Sequence, residues 1–442
     1  MRFESTRNCG KKVDFKQALL NPMPDDGGLY VPCDCEDLRH WILYADQNTS
    51  FANIAGTLTS GLINKEFSPI ICEVIATKAF TFEPKIRQLD GHLFLLELNH
   101  GPTGSYRDFG VSFLISALEA ILLMSGEKSI LLDATSGPLG ACMANASRGK
   151  KLIKSVLLYP RGKVTGLRES DFVWNGGNIY PIEVDGTEAD CRNMVRKIFA
   201  QKELISKYHL TVANTSNIGR LLPQAFFYTF AFTRIKKIIQ GDIYYALSPD
   251  NYGNLVSGLY SWLLSLPVNG FILPSSPHLC LDPRGKAFMP DASIPLAERP
   301  AADPADPSNL ERLENVFRAN SLMLRSFVYP AQVSKEQTAK ACQELFSKYN
   351  IYADESTSSA YAASLLRKDL TESEDGSVVL VVKDDPSLSK GFLQQTLGEY
   401  PQMEANVLSS ITPTQTGRYP IQKDDIDYLI SVLNSLNLRR LF

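Results

Sequence analysis

From residue 128 onward, short apolar runs alternate with glycine-bearing loops and helical stretches, and that alternation points to an α/β architecture. Ser129–Ala134 reads as a buried strand that enters a glycine-containing loop and then a helix from Ala141. The pattern recurs at 152–159, 177–184 and 243–247, each run bounded by Gly, Pro or charge. Strands apolar on both faces belong to parallel sheets, whose crossover helices cover them on either side. The expectation is therefore open, mostly parallel twisted sheets wrapped by helices.

A chain of 442 residues exceeds what one hydrophobic core fills, so two or three packed units are expected. They are an N-terminal unit over 1–88, an α/β unit over 89–237 and a second over 238–442. Six prolines between 283 and 309 block continuous helix or strand there and predict an irregular surface excursion. Helix returns over 309–319. At 424–436, Ile426, Leu429, Ile430, Leu433 and Leu436 share one face, so that helix should dock.

Several function classes are excluded at this level. Lys and Arg are dispersed and the net charge is −3, so no basic stripe is available to follow a nucleic acid. The first fifteen residues are polar and mixed in charge, unlike a secretory signal. The most apolar helix candidate, 113–124, contains Glu119 and is too short to cross a bilayer, so no membrane partner is expected. Eight cysteines lie singly except for Cys33-Asp-Cys35, and with five distant histidines they form no metal-ligand pattern. A cytoplasmic protein with reduced thiols and no metal is expected.

Three junctions carry small residues that let backbone N–H groups approach an anion: 101–110, 135–140 and 248–254. Each alone is an ordinary turn signal. Their context is more specific. Ser5-Thr-Arg7, Phe15, Ala18, Leu19, Asp26-Gly-Gly-Leu-Tyr-Val-Pro32 and Phe51-Ala-Asn-Ile-Ala55 occur in order. They precede Glu97-Leu-Asn-His-Gly-Pro-Thr-Gly-Ser-Tyr-Arg-Asp-Phe-Gly110. Ala134-Thr-Ser-Gly137, Leu158-Tyr-Pro-Arg-Gly-Lys163, Gly176-Gly-Asn-Ile179 and Asp185-Gly186 follow, then 213–224, Pro307-Ser-Asn309 and Arg312-Leu313. Over roughly 5–390 this series resembles the threonine synthase family.

The resemblance implies a fold type II, tryptophan-synthase-β-like pair of α/β units forming a cleft, with a threonine-synthase-type N-terminal unit. It implies conversion of O-phosphohomoserine to threonine and phosphate on pyridoxal phosphate, in amino-acid biosynthesis. Where the family has His-Gly-Pro-Thr-x-x-x-Lys-Asp-Phe-Gly, position 107 is Arg. A guanidinium stays protonated, so Arg107 can neither condense with an aldehyde nor relay protons.

The family's Thr-Ser-Gly-Asp-Thr-Gly is here Thr135-Ser-Gly-Pro-Leu-Gly140, and its Pro-Ser-Gly-Asn-Phe-Gly phosphate loop is Ser248-Pro-Asp-Asn-Tyr-Gly253. Pro138 and Pro249 delete donors, and Asp250 opposes a phosphate. Its Thr-Ala-His-Pro aligns with Lys383-Asp-Asp-Pro386, and Ser356-Thr357 replaces a common Pro-His.

Carried over residue by residue, the cofactor positions are Asn251, Tyr252, Gly253, Asn254 and Lys383. The substrate positions are Thr135, Ser136, Gly137, Lys163, Asn217 and Arg220. Structural roles stay open for the last three: a solvated strand-end charge, a loop-ordering amide, and a helix cap or carboxylate partner. His100 reads as a packed turn residue. The favoured expectation is a pseudoenzyme that holds pyridoxal phosphate weakly or not at all and binds a small anionic metabolite or a protein partner. The alternative is an active synthase with its Schiff base on Lys163 or Lys383. A cofactor-free phosphoester hydrolase finds no support, since Ser105 and Ser136 have no base nearby in sequence.

Overall fold

The computed structural model describes residues 2–438 except 34, 64–65, 319 and 373–374. Two parallel sheets organise it. In the larger, Leu93–Glu97 pairs with Ser377–Val382, then come Ile243–Ala246, Gly270–Pro274 and Val328–Ala331, all parallel, with Lys85–Gln88 antiparallel at the edge. In the smaller, the order is Ile421–Gln422, Ile179–Asp185, Ile153–Pro160, Ser129–Ala134 and Leu210–Thr211, parallel throughout. Ser377–Val382 is buried along its whole length, as a central parallel strand must be.

The sheets do not follow the sequence-order partition at residues 88 and 237. Leu93–Glu97, expected in the middle unit, is hydrogen-bonded inside the sheet made mostly by residues beyond 242. Ile421–Gln422 and the terminal helix Ile426–Leu438 return to the smaller sheet, where Leu429, Leu433 and Leu436 pack with Met194, Val195 and Ile198. Both sheets therefore combine strands from distant parts of the chain.

The helix carrying Arg107 runs Arg107–Ser125, 19 residues, so the apolar run at 113–124 understates it. Its length and composition suit a bilayer, but two thirds of it, 67%, is buried inside the fold. Phe109 and Phe113 join an edge-to-face cluster with Phe51, Phe80 and Phe226 that anchors the N-terminal helices Phe51–Ile63 and Pro69–Ala79. The helix stops at Gly126, whose φ of +72° suits glycine, with its N–H bonded to Leu122.

The proline-rich excursion is a fastener. Ala302 donates to Gly27 (2.7 Å), Asn214 donates to Pro304 (2.7 Å), and Arg7 reaches the Pro300 carbonyl (2.6 Å). Arg196 pairs with Asp303 at 2.6 Å. The excursion's one short strand among the described residues, Ala287–Phe288, pairs with Cys280–Leu281, and beyond it the backbone groups bond neighbouring elements instead of a ladder.

One buried carboxyl at the end of a strand yields a pH prediction. Asp133, 1% exposed, accepts from the Ala213 N–H (2.7 Å) and the Asn214 amide (3.0 Å), and burial pushes it up to about 7 despite those bonds. The unfolded chain releases this proton near pH 4. Between those values the folded form binds more protons, so stability falls as pH rises. Urea midpoints are expected to decline from pH 5 to pH 8, and Asp133→Asn should remove roughly 2–4 kcal/mol of that decline. An unchanged pH slope in the variant would contradict this.

Candidate active site

Loops leaving the C-terminal ends of the parallel strands, the usual ligand position in open α/β sheets, come from both sheets. The contributing segments are 98–106, 135–140, 161–163, 248–253 and 383–385. Tyr106 N–H donates to the Lys383 carbonyl and Asp385 N–H to the Gly104 carbonyl, both at 2.7 Å, which stitches the first loop to the last.

Arg107 opens its helix. Its Nη1 donates to Asp384 Oδ1 at 3.0 Å, to Oδ2 at 3.2 Å and to Ser105 Oγ at 3.1 Å, and Ser105 Oγ donates to Asp384 Oδ1 at 2.5 Å. Burial works against its charge, but Tyr106 and Asp384 more than offset that and hold the guanidinium above its ordinary range.

Lys383 is 2% exposed. Its Nζ donates in short contacts to Asp250 Oδ2 and Ser248 Oγ. Ser248 Oγ donates to Asp250 Oδ1 at 3.0 Å and accepts from Ser356 at 2.6 Å. Burial lowers the ammonium's pKa, and Asp250 first among its neighbours reverses this and raises it. The Asp250 carboxyl is correspondingly held low: burial raises it, and Lys383's charge and hydrogen bond outweigh burial.

The rest of the 248–254 loop bonds partly to itself and partly to neighbouring segments. Pro249 has no N–H, Tyr252 N–H donates to the Pro249 carbonyl at 2.7 Å, and Gly253 N–H donates to Asn251 Oδ1 at 3.2 Å. Asn251 donates to Thr215, Asn254 to Gln224, and the Tyr252 hydroxyl meets Ser276. Asp250 and Tyr252 sit at φ +41° and +64°, the left-handed region.

The candidate substrate positions divide. Thr135 Oγ1 accepts from Gly137 and Gly140 N–H (3.1 and 3.2 Å), ordering its own loop. Ser136 is exposed and hydrogen-bonds Glu188. Gly137 precedes the helix Pro138–Ser147, and Lys163 is exposed in the turn after Ile153–Pro160. Asn217 is fully buried: its amide donates to Leu19 and Thr211, and its oxygen accepts from Gly219 N–H. Every polar position of that side chain is used structurally, which leaves no donor for a ligand. His100 Nε2 lies 3.5 Å from Glu97 in the strand-end turn.

Arg220 is different. It is 2% exposed, and its Nε and Nη1 have no acceptor. Among the described residues it neither caps a helix nor forms an ion pair. Burial pushes its pKa down, a measure of uncompensated charge. Tyr106, absent from the candidate positions above, collects three cations: Arg107, Lys383 and Arg220 lie 4.9, 5.8 and 5.9 Å from its ring centre. Its placement between Ser105 and Arg107 was the available signal. Asp384 was visible beside Lys383, but its pairing with Arg107 needed the fold.

A model described as "Pyridoxal-phosphate dependent enzyme" matches residues 75–384, and one described as "Threonine synthase N terminus" matches 2–80. The chain belongs to the threonine synthase family. Threonine synthase from Escherichia coli strain K12 is 30% identical over 405 residues, covering 90% of this chain and 92% of that one. The crystal structure of threonine synthase from Escherichia coli superposes with a TM-score of 0.78 at 26% identity, covering 98% and 100% of the two chains. The pyridoxal-phosphate-bound threonine synthase from Brucella melitensis shares the fold, with a TM-score of 0.80 at 20% identity over 99% and 100%. The expected fold type II architecture and N-terminal threonine-synthase unit are present in this family member.

Proposed function

We propose that this threonine-synthase-family chain binds a small anion in its cleft and makes no covalent bond to pyridoxal phosphate. The observation that carries this is the state of its cations. At 107, the position that resembles the family's Schiff-base lysine, stands a guanidinium tied to Asp384, and the nearby Lys383 ammonium is tied to Asp250. Neither offers a lone pair to an aldehyde.

The residues present do not fit pyridoxal phosphate held as an imine. The loop that would take its phosphate spends the N–H groups of Tyr252 and Gly253 on its own oxygens, lacks one at Pro249, and presents the Asp250 carboxylate. The loop therefore withholds donors from a phosphate dianion and sets a carboxylate beside it, although that carboxylate is paired with Lys383.

Arg220 supports retained anion recognition. A buried guanidinium with Nε and Nη1 unpartnered is costly, and a bound phosphate or carboxylate would satisfy it. Titration with inorganic phosphate and with O-phosphohomoserine is expected to raise the unfolding temperature in a saturable way. No shift with either would contradict the anion-binding reading.

The second reading is an active synthase, favoured by family membership and by one buried amine in the cleft, Lys383. It requires phosphate release from O-phosphohomoserine together with cofactor attached to Lys383 or Lys163. The proposal includes a cytoplasmic location, from the singly scattered cysteines, and a protein partner as the other ligand class, from Arg107, Pro138, Pro249 and Asp250.

A further inference from the structure

Among the lysines near the cleft, Lys383 stands apart because its nitrogen is sealed from water and held by one loop. Nζ is bonded to Asp250 Oδ2, to Ser248 Oγ and, at 3.5 Å, to the Ser248 carbonyl. Ser248 is buried at 4%, whereas the Asp250 side chain is 46% exposed, so Asp250 is the partner of Nζ that also faces solvent. This contact joins residues 133 positions apart, brought together because Ile243–Ala246 and Ser377–Val382 are adjacent parallel strands.

We infer that Asp250 is an internal lock: its carboxylate occupies the approach to Lys383 and keeps that amine protonated, so Lys383 is a latent nucleophile toward small anionic aldehydes. The inference rests on the reading above, in which the native protein forms no imine.

The surroundings decide what happens when the lock is removed. The groups facing Nζ are Asp250, Tyr106, Asp384 and Asp354, with Arg107 beyond Asp250. Asp384 is already bound by Arg107 and Ser105. Asp354 accepts from the Thr357 N–H, and burial raises its pKa, which weakens it as a counter-ion. Tyr106 offers a ring face. Without Asp250, a buried ammonium keeps little compensation, and desolvation favours its neutral form.

Chemically, the neutral Nζ lone pair would add to the aldehyde carbon, and the resulting carbinolamine would lose water to leave a C=N bond. Cyanoborohydride, supplied as reductant, delivers hydride to that carbon and fixes a secondary amine.

The test compares the full-length protein with Asp250→Asn and Asp250→Gly. Both residues suit the φ of +41° at this position, so backbone strain is not added. Each protein is incubated at pH 7 with pyridoxal phosphate and cyanoborohydride, and adducts are located by peptide mass spectrometry. The native chain should carry none at Lys383. Asp250→Gly, which removes both charge and bulk, should label there about tenfold more or better, since each unit of lowered pKa multiplies the neutral amine tenfold, and Asp250→Asn, which removes the charge alone, should label more than the native chain and less than Asp250→Gly.

Folded variants that leave Lys383 unlabelled overturn the lock while the non-covalent reading stands. Labelling of Lys383 in the native chain overturns that reading itself. If both variants precipitate, competitive acylation of the native protein across pH decides: Lys383 should become reactive only above the pH at which surface lysines do. Reactivity at or below that pH defeats the inference.

Discussion

Replacing Arg312 with Leu is expected to lower the unfolding free energy by roughly 4 kcal/mol or more, enough to deplete soluble protein. Arg312 is 0% exposed and pairs with no carboxylate. Its Nε donates to the Tyr30 carbonyl, Nη1 to the Thr215 carbonyl and Asn309 Oδ1, and Nη2 to the Ser216 carbonyl. One guanidinium thus joins the N-terminal unit, the loop before Arg220, and the end of the proline-rich excursion. Leu fills the volume but orphans four buried acceptors, at about 1–3 kcal/mol each before relaxation. Arg312→Lys keeps the charge and reaches fewer of them, so its loss should be intermediate. Urea midpoints check both; an Arg312→Leu protein as stable as the native chain would show that the acceptors find other partners.

Arg220→Met should act in the opposite direction. In ligand-free protein it is expected to stabilise by about 1–3 kcal/mol, because a buried cation with Nε and Nη1 unpartnered is exchanged for an apolar chain of similar length. In the same protein the response to phosphate should fall about 100-fold in affinity, the equivalent of one charge-assisted contact. A residue kept for structure would show the reverse signature, with lost stability and intact binding. Thermal unfolding with and without inorganic phosphate separates the two. A variant that is less stable and still binds would remove Arg220 from the site.

The strands at 129–134, 153–160, 179–185 and 243–246 were legible because parallel strands need apolar residues on both faces, a strong local signal. Helix 107–125 was legible only in part. Its first turn holds Arg107 and Asp108, whose polarity hides the helix start although Asp108 is buried against Thr103.

The sheet partners were not legible. Nothing near residue 93 indicates that it will lie beside residue 378. The same blindness applies to the site. Asp250 reads in sequence as a charge opposed to phosphate, and its pairing with Lys383 appears only when two strands far apart in sequence become neighbours. Arg107 and Asp384, 277 positions apart, are a second case. Asn217 shows the converse: a motif match whose side chain is consumed by the backbone around it.

The most direct measurement is reduction of the native protein with borohydride after incubation with pyridoxal phosphate, followed by peptide mapping. The account predicts no cofactor-derived mass on any lysine of the cleft and no visible absorbance that borohydride removes. A modified peptide containing Lys383 or Lys163 would contradict it and establish the chain as a covalent member of its family.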